Sequence, residues 1–186
     1  IGIEFMCTPF GVREVEFLTP LVKRWKIASG CLEKYDLLKA VRETKLPVIM
    51  STGMQTREQV LDAWAELIDD EGLTKITTLH CTSSYPCLIS DVNLNAMLTL
   101  PKPYGYSDHT LGITIPIAAV AMGATVIEKH LTLDRNAEGP DHKASIEPDE
   151  FRVMVSAIRT VEAALGDGVK RPRACEEPVR RQWYGS

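Results

Sequence analysis

The chain has 186 residues, of which 45% are hydrophobic and 25% are charged, and its formal net charge is −4. This length suits one globular domain that buries roughly 70% of the surface exposed by the unfolded chain. The charges are dispersed along the chain, which gives no sign of a nucleic-acid-binding surface. The longest apolar stretch, residues 115–122, is far shorter than the roughly 20 residues of a membrane-spanning helix. We therefore expect small soluble molecules as partners, with no nucleic acid and no membrane.

Short β-branched or apolar runs recur along the chain, and turn residues and a helix-like pattern follow each run. This alternation is typical of parallel βα units. We count six units, whose predicted strands are residues 2–6, 24–27, 47–50, 76–80, 104–107 and 125–129.

Two of the predicted helices have clear terminal signals. Thr56 and Gln59 have the spacing of a capping box, and the helix that they begin is predicted to end at Gly72. Pro148 begins the last helix, which is predicted to end at Gly166. We therefore assign residues 1–166 to one domain and the proline-containing, basic residues 167–186 to a linker or exposed tail.

Polar side chains stand at or just beyond the C-terminal ends of five successive predicted strands. They are Lys26 and Ser29, Ser51 and Thr52, His80 and Thr82, Ser107 and His109, and Lys129 and His130. An open α/β sheet gathers its ligand at one switch point, whereas a barrel collects side chains from every strand around one mouth. The pattern favours an α/β fold of the (β/α)8 TIM-barrel type. Because a complete barrel has about 250 residues, we expect an incomplete one that lacks the first two strands.

His109 and His130 follow adjacent predicted strands, so they are expected at neighbouring positions of the mouth. Two imidazoles there could hold a divalent metal with open coordination positions, which would act as a Lewis acid on a carbonyl group. The alternative is that both are ordinary polar residues of the rim. Asp108 and Glu128 are predicted to point away from the mouth and to have structural roles.

The same mouth is predicted to hold an ammonium group and several hydroxyls, from Lys26, Ser29, Ser51, Thr52 and Ser107. Such donors suit a phosphorylated ligand. The sequence has neither a P-loop nor a G-x-G-x-x-G motif, so nucleotide binding is not predicted. We interpret Cys81 as a buried structural residue rather than a nucleophile, and His142 as part of a solvated loop.

The chain has five cysteines and no Cys-x-x-Cys pair. An odd set with this spacing disfavours a disulfide framework and a structural zinc site. We therefore expect a cytoplasmic location.

Seven short motifs make the prediction more specific. They are CTPF at 7–10, KIASG at 26–30, STGM at 51–54, HCTSSYP at 80–86, GYSDHT at 105–110, EKH at 128–130 and GPDHKAS at 139–145. Their order resembles that of the sialic acid synthases. In that family a (β/α)8 barrel precedes a small antifreeze-like domain, and the active form is a homodimer. The resemblance implies a partial barrel in residues 1–166 and a tail, residues 167–186, toward an absent antifreeze-like domain.

The resemblance also implies roles for individual residues. His109 and His130 would bind a divalent ion, manganese or magnesium, and would be catalytic together with Lys26. Positions that match those holding phosphoenolpyruvate are Thr8, Lys26, Ser29, Ser51, Ser83 and Ser107. Tyr85 and Asp141 match positions near the amino sugar.

The reaction implied by the resemblance is the condensation of phosphoenolpyruvate with N-acetylmannosamine to N-acetylneuraminate and phosphate. C3 of phosphoenolpyruvate would attack the aldehyde, water would add at C2, and phosphate would leave by carbon–oxygen cleavage. Cys31 replaces a carboxylate that usually contacts the sugar, which leaves the identity of the sugar open. The alternatives are a synthase for another nine-carbon acid, legionaminic or pseudaminic acid, and an inactive barrel fragment.

Overall fold

The computed structural model describes residues 2–69, 71–72 and 74–185, in which strands alternate with helices. The strands are β1 (Trp25–Ile27), β2 (Val48–Ser51), β3 (Ile76–Cys81), β4 (Tyr104–Asp108) and β5 (Ile127–Lys129). The α-helices are α1 (Val12–Leu18), α2 (Tyr35–Glu43), α3 (Arg57–Leu67), α4 (Thr114–Ala121), α5 (Pro148–Leu165) and α6 (Glu177–Tyr184). Short 3₁₀ helices lie at Ser29–Cys31, Ile89–Asp91, Leu94–Thr99, His142–Ala144 and Ala174–Glu176.

The described strands form one parallel sheet in the order β1-β2-β3-β4-β5. This sheet is strongly curled. Neighbouring strands are about 4.8 Å apart, so the three steps from β2 to β5 would span about 14 Å in a flat sheet. The short side chain of Ser51 on β2 nevertheless brings its Oγ within 3.4 Å of Glu128 Oε1 on β5. The α/β fold is therefore a curled parallel half-barrel, consistent with the predicted partial TIM-type barrel.

Two helices show how the sequence sets element boundaries. At α3, Gln59 N donates to Thr56 Oγ1 (3.3 Å) and Thr56 N donates to Gln59 Oε1 (2.8 Å), which confirms the capping box. The prediction that this helix continues to Gly72 is wrong, because Ile68 is already in an extended conformation and ends it. The predicted bounds of α5 are confirmed, with Pro148 in its first turn and Gly166 as its C-cap.

The hydrophobic core lies between the strands and the helices. One cluster packs β1 and β2 against the neighbouring helices, and its fully buried members include Trp25, Leu38, Met50 and Leu67. Two further clusters centre on Tyr106 and Met97 and on Ile146 and Met154. Apolar packing against the helices holds the strands in place. The polar side chains at the strand ends take no part in this packing and can form a site.

Residues 2–6, predicted as the first strand, do not form one. The backbone N–H of Lys26 on β1 donates to Cys7 O (3.4 Å), which lies one residue beyond this segment. The side chains of Ile3 and Phe5 are 81% and 58% exposed. A strand requires a repeated ladder of backbone bonds, which these residues do not make within the described structure. The predicted count of six strands is therefore not confirmed.

The tail is exposed throughout residues 167–185 and contains the short helix α6, while residue 186 lies outside the described residues. Its ion pairs are local, between Asp167 and Arg171 and between Glu177 and Arg181. Its connection to a further domain remains a prediction. In the described part of the chain, no helix combines the length and the apolar character needed to cross a membrane.

Candidate active site

A cavity of about 530 Å³ opens at the C-terminal ends of the strands. Side chains from every strand reach it because parallel strands end at the same edge of the curled sheet. Nine of the ten predicted site residues line it: Thr8, Lys26, Ser29, Ser51, Ser83, Tyr85, Ser107, His109 and His130. The tenth, Asp141, lies just outside, with its Oδ2 4.0 Å from His130 Nδ1.

One side of the cavity gathers hydrogen-bond donors around a single carboxylate. Lys26 is 8% exposed, and its Nζ lies 3.5 Å from Glu128 Oε2. Ser107 Oγ donates to Glu128 Oε1 at 2.7 Å, and Ser51 Oγ lies 3.4 Å from the same oxygen. An ammonium group and two hydroxyls from β1, β2 and β4 thus converge on one anionic group. We call Lys26, Ser51 and Ser107 the anion cradle.

Glu128 is a site residue that the sequence prediction missed. The prediction that it points away from the mouth is wrong, because Glu128 lines the cavity. Residues two positions apart share a face of a strand, and Glu128 is two positions from His130. The register also pairs Glu128 with the cavity-lining Ser107. Counting strand alternation from His130 would have placed Glu128 correctly.

Several polar residues at the strand ends do not line the cavity. Thr52 Oγ1 donates to Leu79 O at 2.9 Å, and His80 Nε2 lies 2.7 Å from Val92 O. Thr82 donates its hydroxyl to Asp91 O at 3.1 Å. Lys129 pairs with Asp108 in the interior, away from the cavity, which agrees with the structural role predicted for Asp108.

Gly53 packs closely against two of the cavity-lining hydroxyls, those of Ser29 and Ser83. Its backbone N–H donates to Ser29 Oγ at 2.9 Å. A Cβ at this position would lie 2.2 Å from Ser83 Oγ and 3.0 Å from Ser29 Oγ. Both hydroxyls can lie this close to residue 53 because it has no side chain.

Three aromatic rings also line the cavity. The ring centroids of His109 and His130 are 5.4 Å apart, and the ring of Tyr85 lies 4.1 Å from His109 and 5.5 Å from His130. His109 Nδ1 is 2.8 Å from Thr82 O. A carbonyl oxygen only accepts, so in the neutral ring Nδ1 carries the proton and Nε2 keeps a free lone pair. Burial, assisted by the charge of His109, lowers the pKa of His130.

This histidine pair suits a divalent cation as a partial ligand set. His109 has a fixed tautomer, and the lowered pKa of His130 keeps its imidazole neutral and able to coordinate over a wider pH range. The described residues contain no group of three or more His, Cys, Asp or Glu side chains arranged as a metal site. Two imidazoles would leave coordination positions open for water and substrate oxygens.

The remaining residues that the sequence raised as alternatives have structural surroundings. Cys81 lines the cavity, but burial raises the pKa of its thiol, which agrees with the prediction that it is not a nucleophile. Cys31 is 1% exposed and belongs to the first core cluster. His142 Nδ1 lies 2.6 Å from Thr132 Oγ1, and this contact anchors its loop.

Known proteins match this chain along nearly its whole length. A family model described as the NeuB family matches residues 1–170. The N,N′-diacetyllegionaminic acid synthase of Legionella pneumophila is 46% identical over 188 residues, covering 97% of this chain and 53% of the relative. The enzyme of the same name from Campylobacter jejuni is 43% identical over 182 residues, covering 95% of this chain and 54% of the relative.

A solved structure has the same fold. It is the N-acetylneuraminic acid synthetase from Leptospira borgpetersenii serovar Hardjo-bovis in complex with citrate, with a TM-score of 0.88 and 37% identity, covering 98% of this chain and 66% of that one. The chain spans about half the length of the curated relatives it matches. The family model and these relatives match nearly all of the chain, and together with the seven motifs they show that it belongs to the NeuB family, the sialic acid synthase family.

Proposed function

We propose that the protein, at its full natural length, condenses phosphoenolpyruvate with an amino-sugar aldehyde to give a nine-carbon sugar acid and inorganic phosphate. The observation that carries this proposal is the meeting of two unlike groups in one cavity. The anion cradle and the pair His109 and His130 line the same cavity. A phosphorylated substrate and a carbonyl substrate would then be held next to each other.

The chemistry forms one carbon–carbon bond and breaks one carbon–oxygen bond. The enol electrons of phosphoenolpyruvate form the bond from C3 to the aldehyde carbon, and the aldehyde oxygen takes up a proton to become a hydroxyl. Water adds its oxygen at C2 and loses its protons as this carbon becomes the ketone. The phosphate leaves with the bridging oxygen.

The residues of the cavity have distinct roles in this proposal. Lys26, Ser51 and Ser107 bind and orient the phosphate through charge-assisted hydrogen bonds. Tyr85 contacts the ring of His109 at a tilted angle and forms the wall against which the sugar would lie. A manganese or magnesium ion bound by His109 and His130 would supply Lewis-acid polarisation of the aldehyde oxygen.

Glu128 affects how the phosphate binds. Its carboxylate contacts the donors assigned to the phosphate, so a bound phosphate would meet its negative charge. The Glu128 side chain is 36% exposed, which gives it room to turn toward solvent. We propose that the carboxylate gives up these donors when phosphoenolpyruvate binds.

Two amino sugars are the main candidates for the second substrate. The sequence analysis predicts N-acetylmannosamine. The two N,N′-diacetyllegionaminic acid synthases are 46% and 43% identical to this chain, compared with 37% for the N-acetylneuraminic acid synthetase. This difference favours the 2,4-diacetamido sugar that gives legionaminic acid. A pseudaminic acid precursor is a third substrate for the same assay.

We further propose, on the family resemblance alone, that the active protein is a homodimer and that residues 167–185 lead to a further domain. Light scattering coupled to size-exclusion chromatography measures the oligomer directly. A monomer with full activity would contradict the dimer. If the protein at its full natural length releases phosphate but the 186-residue chain is folded and releases none, the alternative of an inactive barrel fragment is supported for this chain.

The activity is tested by phosphate release from phosphoenolpyruvate with each sugar, with manganese or with chelator. His109→Gln and His130→Gln should each abolish release. His80→Gln is the matched control, because His80 lies outside the cavity and a glutamine amide can retain its bond to Val92 O. Release that survives both cavity substitutions would contradict the assigned roles.

A further inference from the structure

We propose that the buried ion pair between Asp108 and Lys129 is a positioning device that fixes the separation and orientation of His109 and His130. This inference rests on the proposed function, because the property being positioned is the binding of a divalent cation by the two histidines. Neither Asp108 nor Lys129 touches the cavity, so both are positioning residues and act through the histidines.

The pair is close and almost completely shielded from solvent. Lys129 Nζ lies 2.5 Å from Asp108 Oδ2, and the two side chains are 1% and 0% exposed. Lys129 Nζ also donates to Thr110 O at 2.7 Å. One ammonium group on β5 is therefore bonded to Asp108 at the end of β4 and to Thr110, the second residue after the strand, on both sides of His109 in sequence.

Asp108 fixes the backbone on the same side. Its Oδ1 accepts from Thr110 N at 3.0 Å and from Thr110 Oγ1 at 2.9 Å. A side-chain oxygen that accepts from the backbone N–H two residues later closes an Asx turn. His109 is the central residue of this turn, so Asp108 restricts the backbone from which the imidazole projects.

The sheet register completes the arrangement. Asp108 and Lys129 are paired residues of β4 and β5. Each is followed directly by one of the two histidines, whose ring centroids are 5.4 Å apart. A bond that holds residue 108 to residue 129 therefore also holds the starting points of the two imidazole side chains.

Physical chemistry argues against stability as the main purpose of this pair. Taking two charges out of water is costly, and well-packed apolar residues of similar volume often stabilise a fold as much or more. An apolar pair would make neither the bond to Thr110 O nor the Asx turn. The ion pair therefore supplies a specific geometry next to the histidines that apolar packing would not reproduce.

The test compares three variants in the protein at its full natural length. Asp108→Asn removes the charge while keeping an oxygen for Thr110. The double variant Asp108→Leu with Lys129→Met replaces the pair by apolar side chains and is expected to fold. Leu38→Ala, which truncates a fully buried side chain of the first core cluster, is the control for general loss of stability.

Two readouts separate positioning from a purely structural role. Titration calorimetry with manganese alone should show affinity reduced by about 10- to 100-fold in Asp108→Asn and in the double variant. The imidazole ¹⁵N spectrum of the metal-free protein should lose the single Nδ1–H tautomer of His109 in both. Leu38→Ala should lower the unfolding temperature and leave both readouts unchanged.

Each remaining outcome overturns a specific statement. A folded double variant with wild-type manganese affinity and an unchanged His109 tautomer would overturn the positioning role while the proposed function stands. If Leu38→Ala weakens manganese binding as much as Asp108→Asn does, the effect is general destabilisation and the inference fails. A wild-type protein that binds no manganese or magnesium would overturn both the metal assignment and the inference that rests on it.

Discussion

Replacing Gly53 by alanine should damage the phosphoenolpyruvate site more than the fold. Gly53 has no positive φ, so alanine can adopt its backbone conformation. The new Cβ would lie 2.2 Å from Ser83 Oγ and 3.0 Å from Ser29 Oγ. Both contacts are with rotatable hydroxyls, so the side chains can move, and overpacking of this kind costs about 1–3 kcal/mol of stability.

The cost to substrate binding follows from the same movement. If Ser29 and Ser83 turn away, phosphoenolpyruvate loses one or two hydrogen bonds of about 1.5–3 kcal/mol each, as is typical of bonds to charged groups. Because 1.4 kcal/mol corresponds to a factor of ten, each lost bond should raise the KM for phosphoenolpyruvate by about 10- to 100-fold. Steady-state phosphate release at saturating sugar measures this KM.

Gly30→Ala is the matched control, because a Cβ on Gly30 meets no atom within 4 Å and its φ is not positive. We expect its unfolding temperature to match that of the wild type. A folded Gly53→Ala protein with the wild-type KM would show that Ser29 and Ser83 do not hold phosphoenolpyruvate.

Three further predictions concern charge, proton binding and packing. Glu128→Gln removes the negative charge that the anion cradle contacts and keeps an acceptor for Ser107. Calorimetry should therefore show inorganic phosphate binding about tenfold more tightly. Two unit charges 4 Å apart interact by roughly 4 kcal/mol at an effective dielectric constant of about 20. Solvent screening reduces this repulsion between Glu128 and phosphate, so an effect of about tenfold is expected. Unchanged or weaker phosphate binding in the variant would contradict the phosphate-binding role of the anion cradle. His130 should titrate below the ordinary value of about 6.5 in a metal-free NMR titration. Between these two pKa values the unfolded state binds more protons, so stability should rise with pH, and His130→Gln should remove that part of the slope. Gly105→Ala would place a Cβ 2.3 Å from the backbone oxygen of Val126, which cannot rotate away, so the free energy of unfolding should fall by at least about 1–3 kcal/mol in urea denaturation, and an unchanged value would refute this packing.

Strand positions follow from local sequence, and five of the six predicted strands were confirmed to within two residues. Each is a short apolar run that packs against the helices. Residues 2–6 have the same composition but little to pack against, as the exposure of Ile3 and Phe5 shows. Strand formation there depends on pairing partners, which local composition does not specify.

Nine of the ten residues predicted for the site line one cavity, but the contacts among them were not predicted. Motif order identified Lys26 and the two histidines, whereas the bond between Ser51 and Glu128 depends on how far the sheet curls. Curl is a property of the whole sheet and leaves no local pattern in the sequence. The inward orientation of Glu128 was predictable from its spacing to His130, since it requires only the alternation of side chains in a strand.

The central claim is tested most directly by mass spectrometry of the products formed from phosphoenolpyruvate with ¹⁸O in the bridging position. The amino sugars are offered to the protein at its full natural length with manganese. We predict a nine-carbon sugar acid without ¹⁸O, formed together with phosphate that carries the label. Label retained in the organic product would contradict carbon–oxygen cleavage. The absence of any condensed acid from folded, metal-bound protein would contradict the proposed function itself.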